Sequence, residues 1–472
     1  MRLSDLADSR VAVWGYGREG RAAAIALRLR YPRKPFTLFC SAAEADAAAA
    51  DLRAPTRALG HAEASAAIID LVTLPPDAAT LARFDVVIKS PGISPYFAPY
   101  PEALAAGVHF TSGSALWFAE HGDARTICVT GTKGKSTVSA LIAHLLRAGG
   151  RSVALAGNIG LPLLELAEDR AEDSVAPDWW VIELSSFQTR DFAGAPGVAV
   201  INNVYEEHLD WHATRANYVA DKLAIAAHAR RVVVNGAQAA LAAVADEPTR
   251  SEFNVASGWH LRDDAIWRGA ARVLPLAQVA LPGRHNAENV CAALAAIDAA
   301  GEDAATLAPH VATFRALPHR LQLLGARAGI DFVNDSIATT PYAAIEALRS
   351  LDSREVTILV GGFDRGVSWQ PFADRVAACP PHAIVAMGAN RAKIADALHA
   401  VVQASAFESV ATLSEALTRA LALTRQGGVV LLSPGAPSFD QFRDYTERGR
   451  EFARLAGFDA KEIAQIEGLG IA

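Results

Sequence analysis

Short apolar runs rich in β-branched residues alternate along the chain with longer segments in which apolar residues recur every three or four positions. The short runs are typical of buried parallel strands and the longer segments of amphipathic helices, so the pattern predicts an α/β protein built from repeated strand–helix units. A weaker β pattern covers residues 252–280. The predicted strands are Val11–Trp14, Phe36–Phe39, Val86–Ile88, Ile127–Val129, Trp180–Ile182, Val198–Ile201, Arg231–Val234, Phe332–Val333, Val356–Val360, Ala383–Ala386 and Val429–Leu432.

The same pattern divides the chain into three predicted domains, residues 1–122, 123–316 and 317–472. The polar stretch His121–Arg125 separates the first from the second, and Pro318 interrupts the helical pattern at the start of the third. In the second domain, helices are predicted to run through Leu146, from Ala216 to His228, and from near Asn286. Three domains agree with the usual domain size of roughly 100–200 residues.

Composition narrows the class of protein. A hydrophobic fraction of 51% with 20% charged residues predicts a globular core, and a net charge of −7 argues against nucleic acid as the main partner. The four cysteines form no C-x-x-C pair, which is typical of a reducing compartment. The N-terminus lacks the apolar region of a signal peptide, and no apolar run of about 18 residues follows. The sequence therefore predicts a soluble cytosolic protein with no membrane partner.

The segment Thr130–Thr137, TGTKGKST, lies between a predicted strand and a predicted helix. Its glycines would let backbone N–H groups wrap a polyphosphate, Lys135 could neutralise phosphate oxygens, and Ser136 or Thr137 could reach Mg²⁺. It departs from the usual P-loop pattern because Val129 occupies the position of the first glycine. The segment predicts a nucleotide site, against the alternative of a glycine-rich turn without a ligand.

A second glycine-rich loop, Gly15–Gly20 (GYGREG), follows the first predicted strand and opens a helix. It matches the dinucleotide-binding fingerprint, which is a weak motif by itself. Three interpretations are open: a nicotinamide-binding redox domain, a cradle for the diphosphate of another nucleotide, and a tight turn. Arg18 and Arg21 at the start of the helix favour an anionic ligand.

Three further residues of the second domain are candidates for metal or phosphate chemistry. Glu183 ends a buried-strand pattern, which places its carboxylate at a loop edge. His208 lies in EEHLD, residues 206–210, where carboxylate and imidazole could share a divalent cation, although a single histidine is more often a satisfied surface or core residue. Lys222 lies on a predicted helix, and its type alone is that of a solvated lysine.

Taken together, these segments resemble the Mur ligase family over nearly the whole chain. The resemblance depends on many matches in the same order, none of them specific alone. Besides residues 131–137, the matching segments are Gly157–Pro162, Glu183–Gln188, Asn202–Asp210, His285–Asn289, Leu317–Arg320, Asn334–Ser336, Gly361–Gly362, Ser433–Pro434 and Ser438–Phe442. It implies Rossmann-like first and third domains around a central ATPase domain of the P-loop type.

The resemblance implies an ATP- and Mg²⁺-dependent ligase of peptidoglycan precursor synthesis, which joins glutamate to UDP-N-acetylmuramoyl-L-alanine through an acyl phosphate. The first domain would bind the UDP-linked substrate and the third would bind glutamate and close over ATP, since an acyl phosphate hydrolyses in water. The implied partners are these two substrates, with no nucleic acid and no membrane. A cytoplasmic monomer is expected.

The resemblance also implies roles for individual residues. Those implied to bind ATP are Gly131, Thr132, Lys133, Gly134, Lys135, Ser136, Thr137, Asn286, Asn289, Arg320 and Asp335. Those implied to bind the other substrates are Gly15, Tyr16, Gly17, Arg18, Asn158, Thr339, Ser438 and Tyr445. Those implied to hold magnesium are Ser136, Glu183, His208 and Lys222, the last after carbamylation of its amine. Lys135, Glu183, His208 and Lys222 form the implied catalytic set.

The sequence departs from the family members that add D-glutamate in the segment 335–340. Those members usually have lysine at its third position, where this chain has Ile337, and phenylalanine at the position of Tyr445. Isoleucine cannot offset the desolvation of a bound carboxylate, so the change favours L-glutamate as the incoming amino acid. The alternative is that Arg365 or Arg443 replaces the lost cation and D-glutamate is retained.

Three other functions stay open on the sequence. A ligase of the folylpolyglutamate synthase type would share the ATP loop but would not need a UDP-binding first domain. A nucleotide-binding switch without ligase activity would leave Glu183, His208 and Lys222 unrelated. A nicotinamide oxidoreductase would bind a dinucleotide tightly in the first domain.

Overall fold

The computed structural model describes residues 1–58, 69–159, 161–168, 176–205, 207–242, 244, 249–279, 281, 283–315, 318–351, 353–364, 366–399 and 406–460. These residues form three mostly parallel sheets with helices between the strands, which confirms the α/β prediction. They fall into two compact units, of which the first holds the first two sheets and the second holds the third. No helix within the described ranges is long and apolar enough to cross a membrane.

The first sheet has five parallel strands in the order β3-β2-β1-β4-β5. The strands are β1 Val11–Trp14, β2 Phe36–Phe39, β3 Ile69–Val72, β4 Val86–Lys89 and β5 His109–Thr111. The helices are α1 Arg18–Arg30, α2 Ala45–Ala58, α3 Ala78–Leu81, α4 Tyr100–Ala105 and α5 Gly113–Glu120. From β1 the chain adds β2 and β3 on one side of the sheet and then β4 and β5 on the other, so the strand order reverses between β1 and β4. The loops after these two strands therefore flank the crevice in which open α/β sheets bind ligands.

The second sheet has nine strands in the order β14-β13-β12-β11-β10-β9-β6-β8-β7, and its neighbours are parallel except for the pairs β12–β13 and β13–β14, which are antiparallel. Its strands are β6 Thr126–Thr130, β7 Val153–Gly157, β8 Trp179–Glu183, β9 Val198–Ile201, β10 Arg231–Asn235, β11 Arg250–Phe253, β12 Trp259–Arg262, β13 Ala265–Arg268 and β14 Ala271–Pro275. Its helices are α6 Lys135–Ala148, α7 Leu163–Glu168, α8 Ser186–Arg190, α9 Leu209–His212, α10 Arg215–Leu223, α11 Arg284–Ala299 and α12 Ala304–Leu307. Because β8, β6 and β9 are parallel neighbours, the loops that follow them meet at one edge of the sheet.

The third sheet has six strands in the order β15-β16-β20-β17-β18-β19, and only β15 is antiparallel to its neighbour. Its strands are β15 Gln322–Arg327, β16 Ile330–Asn334, β17 Val356–Val360, β18 Ala383–Ala386, β19 Ala406–Ser409 and β20 Val429–Leu432. Its helices are α13 Pro341–Arg349, α14 Gln370–Ala378, α15 Arg391–Leu398, α16 Leu413–Leu423 and α17 Tyr445–Leu455. The loops after β16, β20 and β17 therefore lie side by side.

The predicted strands are confirmed within one or two residues, and the weak β pattern at 252–280 corresponds to β11–β14. The helix predicted from Ala216 to His228 is wrong at its end, because α10 stops at Leu223. A 3₁₀ turn, Ala224–Ala226, follows it and buries Ile225 completely. A 3₁₀ turn of this kind is common at the C-terminal end of an α-helix.

Gly20, at the start of α1, gives a test of the packing between β1 and β4. A Cβ at this position would collide with the carbonyl oxygen of Gly15 and with Ser90 Oγ. We expect Gly20→Ala to lower the free energy of unfolding by about 1–3 kcal/mol, since overpacking forces the loop to move. The matched control is Gly17→Ala, where a Cβ meets nothing within 4 Å and which should change the free energy of unfolding by less than about 0.5 kcal/mol. Equal thermal stability of the two variants would contradict this account.

Candidate nucleotide and metal site

The phosphate loop, residues 130–137, connects β6 to α6. Gly134 has φ +78°, and a Cβ there would lie 2.6 Å from Asn202 Nδ2 and would collide with Asn289 Oδ1, so the tight turn depends on glycine. Asn289 is buried on α11, where it accepts from Asn202 Nδ2 at 2.9 Å and donates to Asn286 Oδ1 at 3.3 Å. Of the two asparagines predicted to bind ATP, Asn289 thus lies against the loop at Gly134, and Asn286 contacts Asn289.

The loop is held in place by the residues that follow β9. Asn203 accepts the backbone N–H of Thr132 on its carbonyl oxygen at 2.9 Å and that of Lys133 on its Oδ1 at 2.8 Å. Thr132 Oγ1 lies 2.6 Å from the hydroxyl of Tyr218, and Lys133 forms an ion pair with Glu207. The loop is therefore pre-formed before any ligand binds. Because Asn203 already accepts these two N–H groups, a polyphosphate would bind at the N-terminus of α6, which starts at Lys135.

The amines of two lysines lie at this loop: Lys135 belongs to the end of the loop, and Lys222 lies on α10. Lys135 Nζ donates to the carbonyl oxygen of Thr132 at 3.0 Å. Lys222, on α10, is only 1% exposed, and its Nζ donates to the carbonyl oxygen of Gly131 at 3.0 Å. Burial and the nearby positive charge of Lys135 lower the pKa of Lys222 to about 7. Lys222 is therefore not the solvated lysine that its type alone suggested, and near neutral pH a large fraction of it is an uncharged, nucleophilic amine.

Glu183, the last residue of β8, has a fully buried side chain. Its Oε1 accepts the amide of Asn158 at 2.6 Å, whereas Oε2 has no hydrogen-bond partner among the described residues. A buried carboxylate oxygen without a partner is costly unless a cation or a proton compensates it. Asn158, predicted to contact the sugar substrate, is thus engaged with Glu183 in this structure.

His208 precedes α9 in a left-handed conformation with φ 57°. Its side chain is half-exposed, packs on Phe187 with ring centroids 5.0 Å apart, and lies 3.9 Å from Glu207. Desolvation lowers the pKa of His208, which favours the neutral imidazole that can act as a metal ligand. Glu206, of the same predicted acidic cluster, and Gly160, of the segment after Asn158, lie outside the described residues.

The donor set fits magnesium only with an added oxygen ligand. The described part of the chain contains no group of three His, Cys, Asp or Glu side chains that could hold a metal ion. Magnesium prefers oxygen ligands, and Ser136 and Glu183 supply oxygen, whereas an unmodified Lys222 amine does not. A carbamate on Lys222 would supply the missing oxygen, and the uncompensated Glu183 Oε2 is a place for a cation.

The crevice of the first sheet is lined by the Gly15–Gly20 loop and by the turn after β4. Gly15 has φ +92°, and its carbonyl oxygen accepts from Ser90 Oγ at 3.0 Å. Tyr16 and Arg21 both donate to Asp51, at 3.0 and 2.7 Å, while Gly17 and Arg18 are exposed. The loop thus leaves the backbone of Gly17 and the Arg18 side chain facing solvent.

The end of β2 does not supply the feature that a nicotinamide dinucleotide needs. In dinucleotide-binding domains an acidic residue at this place binds the ribose hydroxyls. Here Cys40 and Ser41 follow the strand, and Glu44 accepts both the backbone N–H and the hydroxyl of Ser41, at 2.8 and 2.7 Å. This geometry disfavours the oxidoreductase alternative.

In the second unit, Asp335 follows β16 and is buried. Its carboxylate accepts from Ser433 Oγ at 2.7 Å and from the backbone N–H of Leu321 at 3.1 Å. Desolvation raises the pKa of Asp335 to about 7. Arg320, the other predicted ATP contact of this region, precedes Leu321 and is half-buried.

A buried arginine, Arg448 on α17, joins the two loops that carry the predicted amino-acid contacts. Its guanidinium donates to Ser336 Oγ at 3.1 Å, to the carbonyl oxygen of Ser336 at 2.8 Å and to that of Ala436 at 2.9 Å. Thr339 lies three residues after Ser336, and Ser438 lies two residues after Ala436. Tyr445 starts α17, and its carbonyl oxygen accepts the Ser336 hydroxyl at 2.7 Å.

The residues named as possible replacements for the lost cation differ in their surroundings. Arg443 has an 85% exposed side chain and pairs with Glu447 at 3.3 Å. Arg365 lies outside the described residues, as does Leu317 of the predicted third-domain start. Ile337 is partly buried, and its backbone N–H donates to the carbonyl oxygen of His319 at 3.1 Å.

The structure places Lys222 and Glu183 at the phosphate loop: Lys222 donates to the carbonyl oxygen of Gly131, and the Thr130 hydroxyl donates to that of Leu184, the residue after Glu183. Sequence reasoning missed the buried residues His212 and Asp221 in this unit, and the buried Arg448 in the second unit. The spacing of four residues between His208 and His212 is the one signal in the sequence that could have indicated the first of them.

The chain is similar to known proteins over its full length. The Mur ligase middle domain matches residues 129–297, and the Mur ligase glutamate ligase domain matches residues 319–435. The chain is 50% identical, over 100% of both chains, to a UDP-N-acetylmuramoyl-L-alanine--L-glutamate ligase of Xylella fastidiosa. The chain belongs to the Mur ligase family. A protein of the same name from Salinispora tropica is 40% identical, over 96% of this chain and 98% of the relative.

Solved structures show the same fold at low sequence identity. UDP-N-acetylmuramate-alanine ligase MurC from Thermotoga maritima matches with a TM-score of 0.58 and 19% identity, over 95% of this chain and 99% of that one. MurF ligase from Thermotoga maritima, solved in complex with ADP, matches with a TM-score of 0.54 and 15% identity, over 92% and 96%. The predicted family and fold are therefore confirmed.

The lowered pKa of Lys222 gives a test of its chemistry. Carbamylation needs the neutral amine, so at a fixed pressure of ¹³CO₂ the ¹³C carbamate signal of Lys222 should rise as the pH increases from about 6 to about 8, through the pKa of about 7. The signal should be absent in Lys222→Met. An ordinary lysine would stay protonated over this range. A signal that does not change with pH, or that survives in Lys222→Met, would contradict the assignment.

Proposed function

We propose that the chain is an ATP-dependent ligase that joins L-glutamate to UDP-N-acetylmuramoyl-L-alanine, with ADP and phosphate as products. The full-length relatives that carry this name support the reaction. The observation that carries the proposal is the pre-formed phosphate loop with a buried amine, Lys222, bonded to its backbone. This combination supports a site in which a bound phosphoryl group reacts, and so favours the ligase over a passive nucleotide switch.

The residues of the phosphate loop would perform the first step. A carboxylate is a poor electrophile, so the γ-phosphate of ATP is transferred to it and gives an acyl phosphate, which the glutamate amine then attacks with release of phosphate. The loop N–H groups and Lys135 would stabilise the charge on the transferring phosphoryl group. Bound magnesium would neutralise phosphate oxygens, and Ser136, Glu183, His208 and carbamylated Lys222 would hold it.

We assign the UDP-linked substrate to the first-sheet crevice. Gly15, Tyr16, Gly17 and Arg18 line it, at the point where the strand order reverses. We keep the domain boundaries 1–122, 123–316 and 317–472 as proposals, together with a cytoplasmic monomer acting in peptidoglycan and cell-wall synthesis.

Glutamate is assigned to the loops after β16 and β20 in the third domain, with Thr339, Ser438 and Tyr445 as contacts. Ile337 supports L-glutamate over D-glutamate, since it supplies no cation for a carboxylate. Arg443 is solvated and already paired, and Arg448 is already bonded to three oxygens of the two loops. Neither arginine is therefore proposed to replace the lysine that the D-glutamate-adding members have at the position of Ile337.

The decisive experiment supplies the purified chain with ATP, Mg²⁺, UDP-N-acetylmuramoyl-L-alanine and one glutamate enantiomer at a time, and measures phosphate release and product mass. We expect product with L-glutamate and at least about tenfold lower kcat/KM with D-glutamate, since a missing charged contact costs more than about 1.4 kcal/mol. Product with D-glutamate alone would overturn the assignment of the enantiomer. Absence of product with both would overturn the ligase proposal.

Removal of the loop lysine tests the role of the phosphate loop in the same assay. We expect Lys135→Ala to lower kcat by about 100- to 1,000-fold, the usual cost of losing one charge-stabilising donor. The control is Lys393→Ala, which removes a partly exposed lysine paired with Asp364 at 3.1 Å in the second unit. Similar kcat values for the two variants would contradict the assigned role.

A further inference from the structure

His212 is a buried titratable residue that the proposed reaction does not use. Its side chain is 0% exposed, and it packs on Trp211 with ring centroids 4.5 Å apart. Nδ1 lies 2.7 Å from Asp221 Oδ2, and Nε2 lies 3.0 Å from Ser186 Oγ. A polar ring inside a protein is costly unless both nitrogens are satisfied, and here both are.

The partners of His212 fix its tautomer. An ionised carboxylate only accepts hydrogen bonds, so Nδ1 carries the proton that is shared with Asp221. Nε2 is then the acceptor, and the Ser186 hydroxyl donates to it. The ring thus joins two segments through two directional bonds, which a residue of equal volume without ring nitrogens could not do.

Each hydrogen-bond partner of His212 lies within three residues of a proposed magnesium ligand in the sequence. Asp221 immediately precedes Lys222 on α10. Ser186 follows Glu183 by three residues and starts α8. His212 itself ends α9, the single turn of helix that His208 caps at its start. One imidazole therefore connects the three segments that carry Glu183, His208 and Lys222.

The far side of Asp221 is also occupied. Tyr96, in the loop after β4 of the first sheet, donates its hydroxyl to Asp221 at 2.7 Å, and Arg190 lies 3.3 Å from the same carboxylate. Asp221 is only 4% exposed, so these contacts leave it little freedom. A carboxylate held from both sides gives His212 a fixed anchor.

We propose that His212 is a positioning residue of the metal site, which sets the relative placement of Glu183, His208 and Lys222 through its bonds to Ser186 and Asp221. This proposal rests on the proposed function, because it needs a divalent cation at those three residues. Residues that orient metal ligands usually change metal affinity or activity by about 10- to 100-fold when they are replaced. His212 would act in this way although it touches neither the cation nor a substrate.

The test measures Mn²⁺ binding to the full chain by electron paramagnetic resonance, without ATP or other substrates, and the ¹³C carbamate signal of Lys222. His212→Phe keeps an aromatic ring but loses both bonds. We expect it to weaken Mn²⁺ binding by about 10- to 100-fold and to reduce the carbamate signal. His212→Asn, which can still donate to Asp221, should retain more of both than His212→Phe.

The matched control is His121→Phe. His121 also stacks on a tryptophan, Trp117, with ring centroids 4.6 Å apart, and uses Nδ1 in one bond to the Trp117 carbonyl oxygen. It should leave both readouts unchanged. If His212→Phe does not fold, as judged by its thermal transition, Ser186→Ala carries the test, because it removes one of the two bonds and little volume; weaker Mn²⁺ binding supports the proposal.

Wild-type Mn²⁺ affinity and carbamate signal in folded His212→Phe, or in Ser186→Ala when His212→Phe is unfolded, would overturn the proposal. Mn²⁺ binding that is the same in Lys222→Met as in the wild-type chain would overturn it as well, because the proposed metal site would then be absent. Failure of the ligase reaction is a separate result, which is seen as missing product. The role of His212 is then still tested by Mn²⁺ binding and by the carbamate signal.

Discussion

The hydrogen bond from Lys222 Nζ to the Gly131 carbonyl oxygen places an amine under a loop shaped to bind anions. Burial alone would favour the neutral amine, and the charge of Lys135 acts in the same direction. The position therefore converts the most strongly solvated type of side chain into a reactive nucleophile close to neutral pH. The proposed chemistry depends on the neutral amine, since a permanently protonated lysine could neither react with CO₂ to form a carbamate nor support a cation beside Glu183.

The loops around this lysine are held by contacts between the first and second sheets. Trp211 donates its indole N–H to the carbonyl oxygen of Gly92 at 3.0 Å, and the Ser94 hydroxyl donates to the carbonyl oxygen of Trp211 at 2.5 Å. Lys89, at the end of β4, forms a buried ion pair with Asp191 at 2.7 Å. The turn after β4, which flanks the first-sheet crevice, is thus bonded to the segment that carries His208. Within this unit, the proposed substrate crevice and the proposed metal site share one scaffold.

The sequence predicted the strands that are buried on both faces, because these have continuous apolar runs; Val198–Ile201 and Val356–Val360 are examples. It missed β3, β7, β15 and β19, which are edge strands with partly exposed residues, and the three-residue β5. The resemblance to a family pointed to Glu183 and Lys222. Their surroundings could not be predicted, since the bonds of His212 and Arg448 join residues far apart in sequence.

The residue that supports the proposed amino-acid pocket, Arg448, is different from the residues that are proposed to line it. Its guanidinium fixes the backbone of Ser336 and Ala436, whereas the side chains at Ile337, Thr339 and Ser438 are free of that bond network. Substitutions in the lining therefore need not disturb the loops that display them. With the supporting bonds in one set of atoms and the proposed ligand contacts in another, a few substitutions in the lining would change the contacts offered to a ligand and leave the framework of this chain intact.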